Sequence, residues 1–444
     1  MSAAAPASVG TGFDAGPPQG ETAPSGGSAV RTATSVGACL PGNANLGGQQ
    51  TTLGVMGGGQ LGRMFVQAAQ AMGYYTVVLD PDPASPAGLI AHHHIATAFD
   101  DPAGLAELVQ RCDAVTTEFE NVPAPALRIL AAQRPVAPSA DCVAVAQDRL
   151  LEKAHFVQCA PIGGVSPAPY APIDTPESLA AAPEHLLPGI LKTARLGYDG
   201  KGQVRIKNRE ELAAAWAQLS RVPCVLEQLM PLQAECSVIV ARSADGQTAC
   251  FPVQANTHHH GILAITEVFE GAVPPELAAR AQASTVAIAN HLNYVGVLCV
   301  EYFIVKNAAG EDALIVNEMA PRPHNSGHYS QNACDISQFE AQVRALAGLA
   351  LPTPRQHSPA IMVNLLGNLW FEPNAVRAQR SASPVSPPWT QLLALPGAHL
   401  HLYGKASARP GRKMGHLNIT GATVAAVRET AAKALTLLGL PALG

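Results

Sequence analysis

The chain has 444 residues, which at about 150 residues per domain suggests three domains. Hydrophobic residues make up 48% of it, and the net charge of −5 gives no attraction for nucleic acid or for an anionic membrane surface. No run of about 18 apolar residues occurs, so no transmembrane helix is expected. Nine cysteines without a CxxC spacing favour reduced thiols in a cytoplasmic protein over a disulfide framework or a zinc site.

The first 50 residues differ in composition from the rest of the chain. They are rich in Ala, Gly, Ser, Pro and Thr, carry almost no charge and show no apolar periodicity. Such a segment cannot bury enough surface to offset its conformational entropy. It also lacks the basic and apolar regions of a secretion signal. We therefore predict a disordered extension over residues 1–50 and a fold that begins near Thr51.

Residues 51–150 alternate between strand and helix patterns. We predict strands at residues 53–56, 76–80 and 114–118, with a helix after the first strand that ends near Met72. Alternation of this kind is typical of a parallel sheet with crossover helices. The first domain is therefore predicted to be a Rossmann-like α/β domain.

A glycine-rich turn follows the first predicted strand. Gly57, Gly59 and Gly62 form the pattern GxGxxG before a helix, and Asp80 ends the next strand. These features match the dinucleotide-binding fingerprint in spacing and context. Their chemistry is general, because such a turn lets any phosphate approach backbone N–H groups at a helix N-terminus. The pattern by itself does not specify NAD.

A second glycine-rich segment lies in the central block, residues 151–350. Residues 192–203 read KTARLGYDGKGQ, with Lys201 among glycines and Lys192 on the preceding strand. A mobile loop of this kind suits closure over a polyphosphate, and we place it in a lid at about residues 165–228. The alternative for the segment is a plain hairpin turn.

Two carboxylates and a histidine triplet flank other strands of the same block. Glu227 ends one predicted strand and Glu235 begins the next. Carboxylates at that spacing can hydrogen-bond an adenine amine and a ribose diol. Residues 258–260 are all histidine, and three consecutive histidines cannot all face one metal. One member of the triplet is therefore expected to face the site.

Two further carboxylates lie on predicted strands at residues 297–306 and 312–319. Opposing residues of a hairpin have numbers with a constant sum, and a tip between Ala309 and Gly310 of the NAAGE segment pairs Glu301 with Glu318. Like charges directly opposite destabilise a ladder, so the pair makes sense if a hard cation such as Mg²⁺ bridges it. The alternatives are a register shifted by one residue, or two solvated carboxylates on an exposed face.

Polar residues crowd the segment that follows this hairpin. Residues 319–328 contain an arginine, two histidines and an asparagine among prolines, and such groups bind anions and oxygen-rich substrates. The last block, residues 351–444, carries scattered strand patterns and a basic cluster at residues 405–416. That cluster is either a solvated loop or a phosphate-binding loop.

Together these segments resemble the 5-(carboxyamino)imidazole ribonucleotide synthetases of the ATP-grasp superfamily. The resemblance covers about residues 51–420, and the first 50 residues have no counterpart in it. It implies an α/β protein with α+β elements in three domains: a Rossmann-like parallel sheet, an ATP-grasp domain with a mobile lid, and a small β-rich C-terminal domain. The motifs that carry it are GGGQLGRM at 57–64, EFEN at 118–121, QDR at 147–149, GYDGKGQ at 197–203, NEMAPRPHNSGH at 317–328 and RPGRKMGHLN at 409–418.

The resemblance implies a specific activity. The family carboxylates 5-aminoimidazole ribonucleotide with bicarbonate in purine biosynthesis, and ATP hydrolysis drives the reaction through carboxyphosphate. The implied cofactors are ATP and Mg²⁺, with Mn²⁺ as a substitute. A cytoplasmic homodimer is implied, with a separate mutase acting on the product and with no nucleic-acid or membrane partner.

The resemblance also implies roles for individual residues. It assigns Mg²⁺ to Glu301 and Glu318. The implied catalytic residues are Tyr198, Asp199, Lys201 and Arg322. The implied ATP-binding residues are Arg149, Lys192, Gly197, Tyr198, Asp199, Gly200, Lys201, Gly202, Gln203, Glu227, Gln228, Leu229, Met230, Glu235, His258, Asn317 and Glu318. The implied substrate-binding residues are Gly59, Gln60, Leu61, Glu118, Glu120, His324, Asn325, Lys405 and Arg412.

Other functions are compatible with some of these patterns. One alternative is another ATP-grasp carboxylate–amine ligase. An NAD-dependent oxidoreductase rests on the GxGxxG turn and Asp80, but it leaves the pair Glu301 and Glu318 without a role. A non-catalytic nucleotide sensor would tolerate loss of either carboxylate, yet both are present.

Overall fold

Three β-sheets form the framework of the computed structural model, which describes residues 50–197, 202–307, 309–371 and 385–443. Of the predicted extension, residues 1–49 lie outside these ranges. Four residues of the predicted phosphate loop, 198–201, also lie outside them.

The first sheet is parallel, as the alternating pattern predicted. Its strand order is β3-β2-β1-β4, and every pairing within it is parallel. Apolar side chains of β1 alternate between two cores, because Leu53 and Val55 pack on one face and Met56 on the other. The strands are β1 (Thr52–Met56), β2 (Tyr75–Leu79), β3 (His93–Ile95) and β4 (Ala114–Thr117). The helices of this region are α1 (Gln60–Ala71), α2 (Pro102–Arg111), α3 (Ala124–Ala131) and α4 (Ala140–Ala146).

A long helix, α5 (Arg149–Gly163), leads into the second sheet. Asp148 caps its N-terminus by accepting from the Leu150 amide, and Gly164 ends it in the left-handed conformation at φ 70°. The sheet is antiparallel, in the order β5-β8-β6-β7, and buries its own core around Leu191 and Trp216. Its elements are β5 (Tyr170–Ile173), α6 (Pro176–Ala180), a 3-10 helix (Glu184–Leu186), β6 (Gly189–Thr193), β7 (Gln203–Ile206), α7 (Arg209–Gln218) and β8 (Cys224–Gln228).

The third sheet has nine strands, with β10 beside β9 and the remainder in the order β14-β13-β9-β11-β12-β15-β17-β16. Its middle strands are buried on both faces, because Val238 and Val240 join one core while Ile239 and Ala241 join another. The elements before residue 350 are β9 (Leu232–Arg242), β10 (Thr248–Cys250), β11 (Gln254–His259), β12 (Ile262–Val268), α8 (Pro275–His291), β13 (Gly296–Lys306), β14 (Asp312–Ala320), a 3-10 helix (Asn325–Gly327), α9 (Ser330–Ala333) and α10 (Gln338–Ala347).

The C-terminal strands extend this third sheet, since β15 pairs with β12. The predicted β-rich block therefore shares a sheet with the central block, which the strand patterns did not indicate. The C-terminal elements are β15 (Ala360–Leu366), a 3-10 helix (Gly367–Trp370), α11 (Trp389–Leu393), β16 (Ala398–Leu402), β17 (Lys413–Thr420) and α12 (Val424–Leu438). Across the described residues, the helices are all too short or too polar to cross a membrane.

Candidate active site

A polar cavity of about 550 Å³ opens between the second sheet and the third. Strands β6 and β8 supply one wall, and strands β9, β13 and β14 supply another. Most of the predicted nucleotide and metal residues converge on it. The predicted residues that line the cavity are Glu120, Arg149, Lys192, Gly197, Gln203, Glu227, Gln228, Leu229, Met230, Glu235, His258, Glu301, Asn317, Glu318, Arg322, His324 and Asn325.

The two predicted metal carboxylates face each other across a β-hairpin. Glu301 of β13 pairs with Glu318 of β14, which confirms the predicted register at that point. A β-bulge follows, because Tyr302 pairs with Val316 and leaves Asn317 as an extra residue in β14. In a regular strand, consecutive side chains point to opposite faces, but here Asn317 and Glu318 both line the cavity.

Cations and burial set the electrostatics of this pair. Burial raises the pKa of Glu301, and the negative charge of Glu318 raises it further. Burial also acts to raise the pKa of Glu318, but the charges of Arg149 and Lys192 outweigh it and the pKa is lowered. The guanidinium of Arg149 lies 3.0 Å from the Glu318 carboxylate. Glu318 is therefore held as an anion, while the pKa of Glu301 beside it is raised.

The donor set fits a hard divalent cation. Two carboxylates supply oxygen ligands from adjacent strands, and the buried amide oxygen of Asn317 beside them has no hydrogen-bond partner among the described residues. The imidazole of His324 lies 3.2 Å from Glu301, and burial together with Arg322 lowers its pKa well below the usual range. A neutral imidazole cannot neutralise the carboxylate, so a cation such as Mg²⁺ would relieve the repulsion of the pair.

Two lysines flank a buried glutamate at the nucleotide end of the cavity. Glu227 lies 3.1 Å from the Lys192 amine and 3.3 Å from the Lys153 amine. Burial acts to raise the pKa of Glu227, but the two lysine charges outweigh it and the pKa is lowered. Two cations around one anion leave a net positive charge, which suits a polyphosphate. Oε2 of Glu227 accepts from Lys192, while its buried Oε1 has no hydrogen-bond partner among the described residues, so its contact with an adenine amine stays a prediction.

Two of the predicted ATP-binding residues, Glu235 and His258, are in direct contact, at 2.6 Å from Oε2 to Nδ1. A register shift between Thr257 and His258 in β11 accompanies this contact. Burial acts to lower the pKa of His258, but the hydrogen bond to Glu235 and nearby carboxylates raise it overall. One member of the histidine triplet thus faces the site, as expected.

The far end of the cavity contains an ion pair and an amide without a partner. Arg322 donates to Glu120 at 2.5 Å, which joins the EFEN segment to the polar tail after β14. Asn325 is 5% exposed and lines the cavity, yet within the described ranges neither its amide oxygen nor its amide nitrogen has a hydrogen-bond partner. Buried polar atoms are normally satisfied, so this amide points to a polar ligand in the cavity.

The glycine turn does not have the arrangement that the sequence suggested. The amides of Gly59 and Gly62 donate to the Glu118 carboxylate at 2.7 and 2.8 Å, and the Gly58 amide donates to Asp80. A Cβ at Gly59 would lie 2.3 Å from Glu118, so glycine is required for this close approach. These amides already have carboxylate partners and do not offer a phosphate site, which corrects the sequence interpretation.

The remaining predicted residues lie beside the cavity rather than in its lining. The Lys405 amine donates to Gln60 at 2.8 Å and to the carbonyl of Lys413, which does line the cavity. Arg412 donates to the carbonyl of Ser407. The predicted residues outside the lining are Gly59, Gln60, Leu61, Glu118, Gly202, Lys405 and Arg412.

Sequence reasoning missed several residues of the site. Lys153 follows Arg149 by four positions on α5, and that spacing puts both on one helix face, so helical periodicity could have identified it. Glu152 is buried and accepts from the Met319 amide at 2.7 Å, which anchors the strand end beside Glu318. Only the fold reveals that contact, because 167 residues separate the two partners.

Family models match three successive parts of the chain. The ribonucleotide synthetase preATP-grasp domain matches residues 50–147, and the ATP-grasp domain matches residues 160–339. The phosphoribosylaminoimidazole carboxylase C-terminal domain matches residues 360–430. The order of these matches agrees with the order of the three predicted blocks.

Individual relatives match over most of their length. N5-carboxyaminoimidazole ribonucleotide synthase of Brucella melitensis is 41% identical over 370 residues, 83% of this chain and 95% of the relative. A Staphylococcus aureus N5-carboxyaminoimidazole synthetase solved with ADP has 35% identity and a TM-score of 0.75, covering 87% of this chain and 97% of its own. An Aspergillus clavatus N5-carboxyaminoimidazole synthase, solved with ADP and 5-aminoimidazole ribonucleotide, has 28% identity and a TM-score of 0.75, covering 88% and 98%. The chain therefore belongs to the N5-carboxyaminoimidazole ribonucleotide synthase family and has its ATP-grasp fold.

Proposed function

We propose that this chain catalyses the ATP-dependent carboxylation of 5-aminoimidazole ribonucleotide. Bicarbonate is the carbon source, and the products are N5-carboxyaminoimidazole ribonucleotide, ADP and phosphate. The observation that carries the proposal is one cavity in which opposed carboxylates, Glu301 and Glu318, lie beside the cations Arg149 and Lys192. Membership of the family and the ligands of its solved members support the same reaction.

ATP occupies the end of the cavity beneath the second sheet. Arg149 and Lys192 contact its phosphates, and Lys153 adds positive charge while holding Glu227 in place. Glu235 and His258 hydrogen-bond the ribose. The remaining nucleotide contacts come from Gly197, Gly202, Gln203, Gln228, Leu229, Met230 and Asn317.

Glu301 and Glu318 would hold Mg²⁺, or Mn²⁺ as a substitute, and the ion would supply positive charge next to the phosphates. Arg149 keeps Glu318 anionic, and Glu152 fixes the backbone at Met319 beside it. These residues thereby hold the carboxylates in a ligating geometry before the nucleotide arrives. Preorganisation of this kind is the main source of catalysis in phosphoryl transfer.

The ribonucleotide occupies the opposite end. Asn325 and His324 contact it from the polar tail, while Arg322 and Glu120 border the bicarbonate and the developing carboxyphosphate. Among the other substrate residues, Lys405 and Arg412 contact the phosphate of the ribonucleotide, and Gly59, Gln60, Leu61 and Glu118 border the rest of it. The hydrogen bond from Lys405 to Gln60 supports this placement. Lys405 also donates to the carbonyl of Lys413, which lies in the cavity wall.

Bicarbonate attacks the γ-phosphate of ATP, and the resulting carboxyphosphate delivers its carbon to the exocyclic amine of the ribonucleotide with release of phosphate. Carboxyphosphate hydrolyses readily, so water must be excluded while it exists. The catalytic roles of Tyr198, Asp199 and Lys201, and the contact from Gly200, rest on the sequence and the family resemblance, because residues 198–201 lie outside the described ranges.

Two measurements test this function against the alternatives. ATP turnover should require both 5-aminoimidazole ribonucleotide and bicarbonate, whereas another ATP-grasp carboxylate–amine ligase would require a different amine. Mg²⁺–ATP at 100 times its dissociation constant should stabilise the fold by about 2.7 kcal/mol, and NAD should not. Turnover that is indifferent to the ribonucleotide, or stabilisation by NAD alone, would refute the proposal.

Several further properties belong to the same proposal. The domain boundaries are residues 51–150, 151–350 with a lid at about 165–228, and 351–444. The separate core of the second sheet supports a lid that moves as a unit. The enzyme is a cytoplasmic homodimer, and a separate mutase acts on its product. The eight described cysteines, all unpaired, support a reducing compartment.

A further inference from the structure

Two histidines and a cysteine meet where α5 packs against α8, outside the lining of the active-site cavity. His155 and Cys159 are four residues apart on α5 and therefore share one face of that helix. His291 is the last residue of α8. One ligand atom from each of the three can be chosen so that all lie within 4.8 Å of one another.

The spacing of these atoms is close to that of a tetrahedral zinc site. Nε2 of His155 lies 3.5 Å from Sγ of Cys159, and Nδ1 of His155 lies 3.2 Å from Nδ1 of His291. Zn–S and Zn–N bonds of about 2.3 and 2.0–2.1 Å give tetrahedral edges of about 3.5 Å for S···N and about 3.3 Å for N···N. These two contacts use different nitrogens of His155, and one ion can bind only one of them, so the exposed His291 ring must turn toward Nε2 of His155 to complete the three-ligand set.

The surroundings of the cluster also favour a cation. The carbonyl oxygen of Ile288, in the last turn of α8, lies 3.4 Å from Nε2 of His155. A helix C-terminus carries partial negative charge from its carbonyl groups. Two borderline nitrogen ligands and one sulfur ligand suit Zn²⁺ and not Mg²⁺, which prefers oxygen.

We propose that His155, Cys159 and His291 form a binding site for one Zn²⁺ ion, with solvent as the fourth ligand beside the exposed His291. The sequence spacings could not show such a site, since no CxxC occurs and 132 positions separate Cys159 from His291. The site is separate from the proposed Mg²⁺ carboxylates in both position and ligand chemistry.

Zinc binding at this site releases one proton. Both imidazoles bind as neutral ligands, and the Cys159 thiol gives its proton to solvent when its sulfur bonds the metal. Burial raises the pKa of that thiol to about 11, so the free thiol is protonated and poorly nucleophilic at neutral pH. Zinc affinity is therefore expected to increase with pH.

A bound ion would join two helices, one of which begins at Arg149 in the active site. The bound Zn²⁺ ion is thus expected to stabilise the fold and to take no part in the reaction. Co²⁺ is a suitable spectroscopic probe, because a thiolate–Co²⁺ bond gives a charge-transfer band that oxygen and imidazole ligands do not. The titration uses the reduced full-length protein in excess Mg²⁺, which keeps Co²⁺ from the carboxylate pair.

The expected result is one equivalent of Co²⁺ with a thiolate band that Zn²⁺ abolishes. Cys159→Ser should remove the band, and His291→Gln should weaken binding by more than the about 10–100-fold typical of a change at a residue that does not touch the metal. Cys250→Ser and His185→Gln are the matched controls and should bind as the wild type does. Absence of the band in the wild type, or its survival in Cys159→Ser, would overturn the proposal.

His291→Gln also guards against a folding defect, because His291 is exposed and the substitution leaves the core intact. Its melting temperature without metal should equal that of the wild type, while the rise in melting temperature on adding Zn²⁺ should be lost. An equal rise in both proteins would assign zinc binding to other histidines and refute the site.

Discussion

Glu301 and Glu318 face each other across the hairpin because β14 contains one extra residue, Asn317, on the hairpin-tip side of Glu318. Without that bulge, the register near the tip would place Glu301 opposite Asn317. The bulge therefore brings two carboxylates and an amide to one cavity wall. Arg149 forms an ion pair with Glu318, and the pKa is lowered at Glu318 and raised at Glu301, so the two carboxylates differ in electrostatic environment before any cation binds.

Replacement of Glu318 should separate metal binding from folding. Glu318→Gln keeps the side-chain volume but removes half of the anionic ligation, so kcat should fall about a hundredfold or more. The fold should persist, because the change removes one of two like charges. Steady-state ATP turnover across a Mg²⁺ titration measures the effect. Glu311→Gln, on the exposed turn of the same hairpin, is the control, and full turnover in Glu318→Gln would contradict the metal assignment.

Asn325 offers a test in which stability and function diverge. Its buried amide has no partner in the described structure, so Asn325→Leu should leave the free energy of unfolding unchanged or higher. The same change should raise the KM for the ribonucleotide. Asn332→Leu is the matched contrast, because its amide oxygen accepts from His401 and Asn418. That variant should lose about 1–3 kcal/mol of stability and keep its KM.

Denaturant unfolding and substrate kinetics on both asparagine variants provide the measurement. A loss of stability in Asn325→Leu with an unchanged KM would mean that the amide has a structural role and no ligand.

The basic loop should act on the ribonucleotide and not on ATP. Arg412→Ala should remove a charge-assisted contact of about 1.5–3 kcal/mol, which is roughly a tenfold to hundredfold rise in the KM for the ribonucleotide. Arg409→Ala, on the same loop and exposed, is the control. If the KM for ATP rises in Arg412→Ala while that for the ribonucleotide stays constant, the loop belongs to the nucleotide site.

The order of elements could be predicted from the sequence because apolar periodicity and turn residues are local. The first strand was expected at residues 53–56 and is Thr52–Met56, and the carboxylate hairpin agrees to within one residue at each strand end. The facing of Glu301 and Glu318 was also predicted, but from an unbroken register. A bulge leaves no periodic signal in a sequence, so it could not be predicted. The pairing of the two carboxylates was nevertheless right, although the ladder is irregular.

Long-range contacts account for what the sequence did not predict. Glu118 was predicted to bind substrate, and the sequence did not show that its carboxylate also accepts from two amides of the glycine turn. The fingerprint pattern could not show this, because it specifies backbone shape and not the partner of each N–H group. Lys153 and Glu227 approach each other only after α5 docks against the second sheet.

Buried histidines should make the fold sensitive to acid. Burial lowers the pKa of His401 to about 4, and it lowers the pKa values of His328 and His416 well below their usual range. Between the unfolded value of about 6.5 and the lower folded value, the unfolded chain binds more protons than the folded chain. The free energy of unfolding should therefore decrease as pH falls below about 6.5.

His401→Gln should reduce this acid sensitivity, since glutamine keeps a donor for Asn332 but does not titrate. Urea unfolding at about pH 7.5 and about pH 5 measures it, with the exposed His357→Gln as the control. An identical loss of stability on acidification in His401→Gln and the wild type would show that this histidine does not cause the acid sensitivity.

Asp199 is predicted to orient or deprotonate the substrate amine. Asp199→Asn keeps a turn-capping geometry and removes the charge, so carboxylation should fall by about 10²-fold or more. ATP binding should stay nearly intact, which a thermal-shift titration with Mg²⁺–ATP measures. If Asp199→Asn carboxylates at the wild-type rate, the residue only caps its turn, and His258 or His324 becomes the candidate base.

The most direct test of the reaction uses bicarbonate labelled with both ¹³C and ¹⁸O in the presence of ATP, Mg²⁺ and 5-aminoimidazole ribonucleotide. Attack of bicarbonate on the γ-phosphate transfers one of its oxygens to phosphate and its carbon to the amine. We expect ¹⁸O in the released phosphate and ¹³C in the carbamate of the product, with one labelled phosphate for each labelled carbamate. Phosphate free of ¹⁸O, or ATP hydrolysis without a ¹³C-labelled carbamate, would contradict it.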